Sequence, residues 1–314
     1  MLLLTGASGF IGGEVLRSGL RRGLSVRPVF RKPSACAAAA GDAILVPTLA
    51  GDTDWTAALK DVDVVIHCAA RVHVMKDSAA DPLEAFREIN VRATLNLARQ
   101  AAQVGVRRFV FVSSIKVNGE RTSVDGAYSA KDEPAPEDAY GRSKAEAEAA
   151  LKALANETGL EVVIIRPPLV YGPGAKGNFL KMVQWVSRGV PLPLGGVTDN
   201  RRSFVALDNL VDLILTCASH PHAANQTFLV SDGEDLSTAE LLSRVALALN
   251  RHPWLIGVPP TGLRLCLGLL GKQSVADRLL GSLRVDMTST RELLDWTPPV
   301  SVDEELRKVA LSRL

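Results

Sequence analysis

The sequence predicts an α/β fold: a doubly wound parallel sheet with a smaller lobe interleaved into its C-terminal half. Three observations carry that expectation. Short apolar runs alternate with helix-like stretches, a glycine-rich turn joins the first strand to the first helix, and beyond residue 167 the alternation gives way to Pro/Gly-rich loops. Strands that alternate with helices run parallel, because right-handed crossovers lay the helices on both faces of the sheet.

In chain order, strands are expected at "LLLT" (2–5), "SVRPVF" (25–30), "AILV" (43–46), "VDVVIHCAA" (62–70), "RFVFVSS" (108–114) and "EVVIIRP" (161–167). Such apolar runs suit parallel strands buried on both faces. Helix-like segments lie between them at about 12–20, 55–60, 83–104 and 140–157. The loops "RPPLVYGPGAKGN" and "GVPLPLGGVTDN" follow, then a strand–helix piece at 203–230 and a helical tail. Residues 1–167 with about 203–231 therefore form a Rossmann-type dinucleotide-binding layer. Residues 168–202 and 232–314 form a substrate lobe over the carboxyl ends of the strands, where open α/β sheets bind ligands.

Composition narrows the function classes. Hydrophobic residues make up 47% of the 314, enough for a sizeable core, and 36 Lys and Arg against 34 Asp and Glu, all scattered, do not ask for nucleic acid. Cys36, Cys68, Cys217 and Cys266 lie far apart, so neither a zinc site nor a disulfide framework is indicated, and a cytoplasmic setting fits best. The start, "MLLLTGASGFIGG", is too briefly apolar for a signal peptide. The longest apolar stretch, "WLIGVPPTGLRLCLGLLG" (254–271), is broken by Pro259 and Pro260 and carries Arg264; it reads as a core or interface helix, not a membrane span, with a lipid-facing patch as the alternative.

"TGASGFIGG" spaces Gly6, Gly9 and Gly12 as GxxGxxG at a strand-to-helix junction. Gly6 allows the tight turn, Gly9 close approach of a pyrophosphate, and Gly12 close helix–strand packing, while the helix N-terminus supplies N–H donors. The second strand ends in Arg31 and Lys32 where an acid usually accepts from ribose hydroxyls, which favours NADP(H), with NAD(H) as the alternative.

In "DAYGRSKAEAE" Tyr140 stands four residues before Lys144, on one helix face. The ammonium is expected to stabilise a phenolate and so bring Tyr140 toward neutrality as a general acid or base. A strand ends upstream in Ser113 and Ser114, whose hydroxyls can orient a substrate oxygen. Together these groups suit hydride transfer from the cofactor to a carbonyl carbon, with Tyr140 giving the proton and Ser114 orienting the oxygen.

The chain resembles the extended short-chain dehydrogenase/reductases, the nucleotide-sugar epimerase/dehydratase group, over essentially its whole length. The matching pieces are "TGASGFIG", "VDVVIHCAA", "EINVRATLNL", "FVFVSS", "DAYGRSKAEAE", "IIRPPLVYGPG", "RRSFVALDNLV" and "LLDWTPPVSVDEELRK". The resemblance implies catalysis by Ser114, Tyr140 and Lys144. It implies cofactor contacts from Gly6, Ser8, Gly9, Phe10, Ile11 and Gly12, from Arg31 and Lys32, and from Thr48, Leu49, Ala69, Ala70, Arg71, Asn90 and Pro167. Substrate contacts fall to Ser114, Lys116 and Tyr140, with Asn178 and Arg202 on the nucleotide diphosphate of a UDP-sugar. A homodimer is the expected assembly.

Departures from the pattern are Asn118 for tyrosine in "VNG", Leu169 for asparagine before "VYGPG", and an adenine contact divided between Thr48 and Asp52. "ARVHVMKD" and "SSIKVNGE" are similar to a bacterial polysaccharide subgroup acting on UDP-N-acetylhexosamines, which points Arg71, His73, Met75 and Lys116 at the sugar. Within that group the cations at 31 and 32 favour reduction of a UDP-4-keto-6-deoxy sugar. A 4-epimerase of UDP-glucose or UDP-N-acetylglucosamine type, or of a lipid-linked sugar, is the alternative. A non-catalytic NADP-sensing regulator is the alternative of another class, and Ile115 and Lys116 stand where a 4,6-dehydratase carries acids.

Overall fold

The computed structural model describes residues 1–33, 42–72 and 81–312. Seven strands form the main sheet: β1 (Leu2–Thr5), β2 (Val26–Phe30), β3 (Ile44–Leu45), β4 (Val64–His67), β5 (Arg108–Val112), β6 (Glu161–Arg166) and β9 (Thr227–Leu229). They lie in the order β3-β2-β1-β4-β5-β6-β9, and every pairing is parallel. Because strand side chains alternate, successive residues feed opposite cores. Leu4, Ile66, Val110 and Ile165 enter one, beneath α1 (Phe10–Arg21) and the helix Leu207–Ser219. Leu3, Val65, Phe109 and Ile164 enter the other, against Thr94–Gln103 and α5 (Ala139–Thr158).

A second, three-stranded sheet orders β10 (Asp235–Leu236), β8 (Arg202–Ala206) and β7 (Leu169–Tyr171). Its core joins Tyr171, Phe179, Phe204 and Leu236 to Leu242 and Leu306 of helices Thr238–Ala248 and Val302–Leu311.

Three segments differ from their sequence expectations. The third strand is only two residues long, at the sheet edge, with Val46 adding one bond to Phe30. The helix expected over 83–104 is three pieces, Pro82–Arg87, a π-helical turn Glu88–Ala93, and Thr94–Gln103. The π turn carries Asn90, whose side chain is fixed between the Arg71 backbone and the Ser143 hydroxyl; such turns recur at functional sites. The stretch 254–271 is not a core helix, since Pro260–Leu269 buries none of its residues.

A buried ionic network holds α5 on the sheet. Arg166, at the end of β6, donates to both oxygens of Glu148 at 2.5–3.1 Å, with both side chains almost fully buried. The Ser113 hydroxyl donates to Glu148 at 2.5 Å, and Arg166 also donates to Asn118 Oδ1 at 3.0 Å. Asn118, in place of the family's tyrosine, donates in turn to the Ser129 carbonyl. Glu148→Gln strands the Arg166 charge in a dry interior, so it should cost about 3–5 kcal/mol in urea unfolding, and Glu148→Gln with Arg166→Met should recover most of it. A loss in the double variant equal to the sum of the losses in Glu148→Gln and Arg166→Met alone would show that the pair is not coupled.

Candidate active site

The turn after β1 is shaped by contacts that admit only glycine. Gly6 has φ +72°, and a Cβ there would lie 2.8 Å from the Ala69 nitrogen on the chain leaving β4. A Cβ on Gly12 would lie 2.3 Å from the Gly6 carbonyl oxygen, so α1 approaches the turn only because that position is bare. At Gly9, the N-cap of α1, a Cβ would meet only the Gly6 oxygen, at 3.1 Å. The other side is open to a phosphate, and the first turn of α1 carries no acid to repel one.

Between the ends of β1, β2 and β4 lies a cleft of about 330 Å³. Of the sequence candidates, Gly6, Ser8, Gly9, Arg31, Leu49, Ala69, Ala70 and Arg71 line it; so do Val29, Cys68 and Ile89, which sequence reasoning did not single out. This is the switch point of the strand order, where such sheets hold dinucleotides, and the bare Gly9 above a helix N-terminus fits the pyrophosphate of NAD or NADP. Phe10 and Ile11 start α1, and Phe10 packs against both the main core and that of the small sheet. Lys32 and Thr48 are exposed and outside the lining, the Thr48 carbonyl accepting from the Thr53 hydroxyl. Pro167 offers its carbonyl to the Ile115 amide at 3.0 Å. His73 and Met75 lie outside the described residues.

Beyond the cleft, Ser114, Tyr140 and Lys144 come together where β5 meets α5. Asp138 caps α5 by accepting from the Gly141 amide at 2.7 Å, which fixes the helix start just before Tyr140. Ser114 caps the short turn Ile115–Val117 and bonds the Tyr140 phenol. Lys144 is buried, donates to the Val112 carbonyl at 2.8 Å, and sits 4.3 Å from the centre of the Phe111 ring. Burial pushes its ammonium down to about 8, against the opposing pull of the Glu148 carboxylate.

The expectation for Tyr140 is corrected here. Its pKa is pushed up, to about 12, by burial and then by the negative charge of Asp138, with only the Ser114 bond acting downward. Spacing brings Lys144 to the same face, but its ammonium is committed to Val112 and Phe111. Phe86 packs edge-on to Tyr140 at 5.9 Å and closes one side.

Of the residues expected to contact substrate, Lys116 donates to Glu120 at 2.6 Å and Asp138 at 2.5 Å. Burial opposes its charge, but the two carboxylates outweigh it and hold the pKa above its ordinary value. Arg202 donates to the Gly281 carbonyl at 3.0 Å. Burial pushes its guanidinium down to about 10, with Glu120 pulling upward and Arg278 adding like charge. Asn178 is exposed at the start of helix Gly177–Ser187, and no contact among the described residues joins it to this group.

Sequence reasoning missed Glu120, Asp138, Glu148, Arg166 and Arg278. Glu148 had a signal, standing four residues beyond Lys144 as Lys144 stands beyond Tyr140. It also missed His67, buried between the Thr5 and Thr94 hydroxyls at 2.8 and 3.0 Å; burial pushes it down to about 3, so it stays neutral and ties β1 and β4 to the helix above.

The sequence model described as "NAD dependent epimerase/dehydratase family" matches residues 2–231. Among relatives, the UDP-glucose 4-epimerase of Vibrio cholerae is 48% identical over 313 residues, 98% of this chain and 94% of that protein. The fold is shared with the UDP-N-acetylglucosamine 4-epimerase from Bacillus cereus, at TM-score 0.80 and 20% identity over 99% of this chain and 98% of that one. It is shared also with the UDP-glucuronic acid 4-epimerase from Bacillus cereus in complex with NAD, at TM-score 0.78 and 20% identity, covering 99% and 97%. With a glycine turn, switch-point cleft and Ser–Tyr–Lys group in one parallel sheet, and a family match over most of its length, the chain belongs to the NAD-dependent epimerase/dehydratase family.

Proposed function

We propose that this chain is an NAD-dependent UDP-sugar 4-epimerase. The observation that carries the reading is the 48% identity to a UDP-glucose 4-epimerase along nearly the whole of both chains, on a site that keeps Ser114, Tyr140 and Lys144 together. From sequence, Arg31 and Lys32 favour a 4-ketoreductase using NADPH, with the epimerase as alternative. The alternative is the better supported. Lys32 lies outside the cleft, Arg31 is exposed on its rim, and a solved structural relative carries NAD.

In this reading residues 1–167 and about 203–231 hold the cofactor, and the remainder holds the UDP-sugar, with Arg202 and the neighbouring Arg278 facing its diphosphate. When bound, NAD supplies a hydride acceptor, and its positive ring favours the phenolate that burial and Asp138 oppose. Tyr140 removes the proton of the C4 hydroxyl as C4 gives up hydride, while the Ser114 hydroxyl steadies the same oxygen. After the 4-keto sugar turns its other face, the hydride returns to C4 and Tyr140 returns the proton to the C4 oxygen, so the enzyme would end each cycle unchanged. Lys144 holds positive charge beneath the reacting groups and, with the N–H donors that Val112 leaves over, would bond the nicotinamide ribose.

The purified protein should carry NAD and interconvert UDP-glucose and UDP-galactose without added reductant; an empty protein that oxidises NADPH against a UDP-4-keto sugar would reverse the choice. Tyr140→Phe should lower kcat about 10²–10⁴-fold with NAD content unchanged, and unaltered turnover would remove Tyr140 from the reaction. The alkaline limb tests Lys144. Its proton leaves through about pH 8, so the rate should fall above that pH. In Lys144→Arg, which stays charged, the limb should flatten at a reduced maximum; the same limb there would assign the ionisation to another group.

A further inference from the structure

The helix Pro260–Leu269 and its partner Gln273–Leu280 form a hairpin of which the proposed function uses only Arg278. The first helix buries none of its residues. Leu265 is 65% exposed, Leu269 81% and Leu270 67%, and Trp254, just before the hairpin, is 63% exposed. Scattered surface leucines need no explanation, but several on one helical element beside an exposed tryptophan mark an interaction face.

The sequence leading into and through the first helix is cationic, with Asp277 on the second helix the acid that meets it. No Asp or Glu occurs from Leu241 to Ala276, a span that holds Arg244, Arg251, His252, Arg264 and Lys272. Arg244 pairs with Glu234, and Arg264 with Asp277 across the hairpin at 3.0 Å. Arg251 and Lys272 are exposed at either end of the apolar segment.

We propose that this hairpin is a monotopic docking element for a bilayer surface bearing anionic lipids, with Trp254, Leu265, Leu269 and Leu270 entering the headgroup boundary and Arg251 and Lys272 meeting lipid phosphates. Apolar side chains flanked by cations are the signature of a helix that lies in the interface plane. Spanning is excluded by length, since ten residues rise about 15 Å against a hydrocarbon core of about 30 Å. A second copy of the chain fits less well, because a two-fold contact would set this cationic face against itself.

The hairpin also stands against the substrate lobe. Gly281, at its end, accepts from Arg202 at 3.0 Å and from Asn200 at 3.2 Å. Docking would therefore hold the mouth of the site close to the lipid surface. The inference goes beyond the proposed function and does not depend on which sugar is bound.

Flotation of the full chain tests it, with vesicles of phosphatidylcholine alone and of phosphatidylcholine mixed with phosphatidylglycerol. The protein should float with the anionic vesicles and far less with the neutral ones, and added salt should weaken the attachment. Leu265→Glu with Leu269→Glu should reduce anionic-vesicle binding at least about tenfold, with the thermal midpoint and UDP-sugar turnover kept. If that variant does not fold, Arg251→Glu with Lys272→Glu should abolish the preference for anionic lipid by itself. Absence of flotation with either vesicle, or flotation unaffected by both variant pairs, overturns the proposal. Self-association that the leucine variant abolishes, without vesicle binding, overturns it in favour of a second copy.

Discussion

A buried cation organises the half of this molecule where Ser114, Tyr140 and Lys144 meet. Lys144 projects from α5 onto the end of β5 in an interior that disfavours charge, and three contacts compensate: the Val112 carbonyl, the face of Phe111, and the Glu148 carboxylate one turn further on. Glu148 is itself held by Arg166 on β6 and Ser113 on the β5 end. The ammonium, the helix and two adjacent strands are therefore fixed by one set of interactions. Ser114 follows directly on Ser113, and Tyr140 lies one turn before Lys144, so both hydroxyls inherit their positions from that set.

Burial shifts both titratable members toward their neutral forms, the lysine downward and the tyrosine upward. A site of low dielectric amplifies any charge that enters it. A dinucleotide with a positive ring would be such a charge, and the phenolate that the proposed reaction uses at Tyr140 is the form it would favour. Ordinary helix spacing places the two residues side by side, whereas their protonation depends on what surrounds them.

That distinction separates what the sequence disclosed from what it did not. Strands β1, β2, β4, β5 and β6 were legible because strands buried on both faces read as unbroken apolar runs. The glycine turn was legible because Gly6 and Gly12 answer to steric limits of the backbone alone. Asn90 interrupts its helix with a π turn through bonds to Arg71 and Ser143, partners distant in sequence, so periodicity over 83–104 showed one helix. Glu148 stood in register with Tyr140 and Lys144, yet its partner Arg166 belongs to another element, and the pairing appears only in three dimensions. For the segment 254–271 only the core part of the reading fails, for a related reason: hydropathy counts apolar residues but does not say what packs on them.

The account rests on hydride leaving C4 and returning to the same carbon, and isotopic labelling follows that path directly. UDP-glucose carrying deuterium at C4 would be incubated with the protein as purified, with no added cofactor, and the product examined by proton NMR and mass spectrometry. The account predicts UDP-galactose that retains the deuterium at C4, with no net formation of reduced cofactor. Deuterium lost to solvent, or no epimer alongside oxidation of NADPH by a UDP-4-keto sugar, would contradict it.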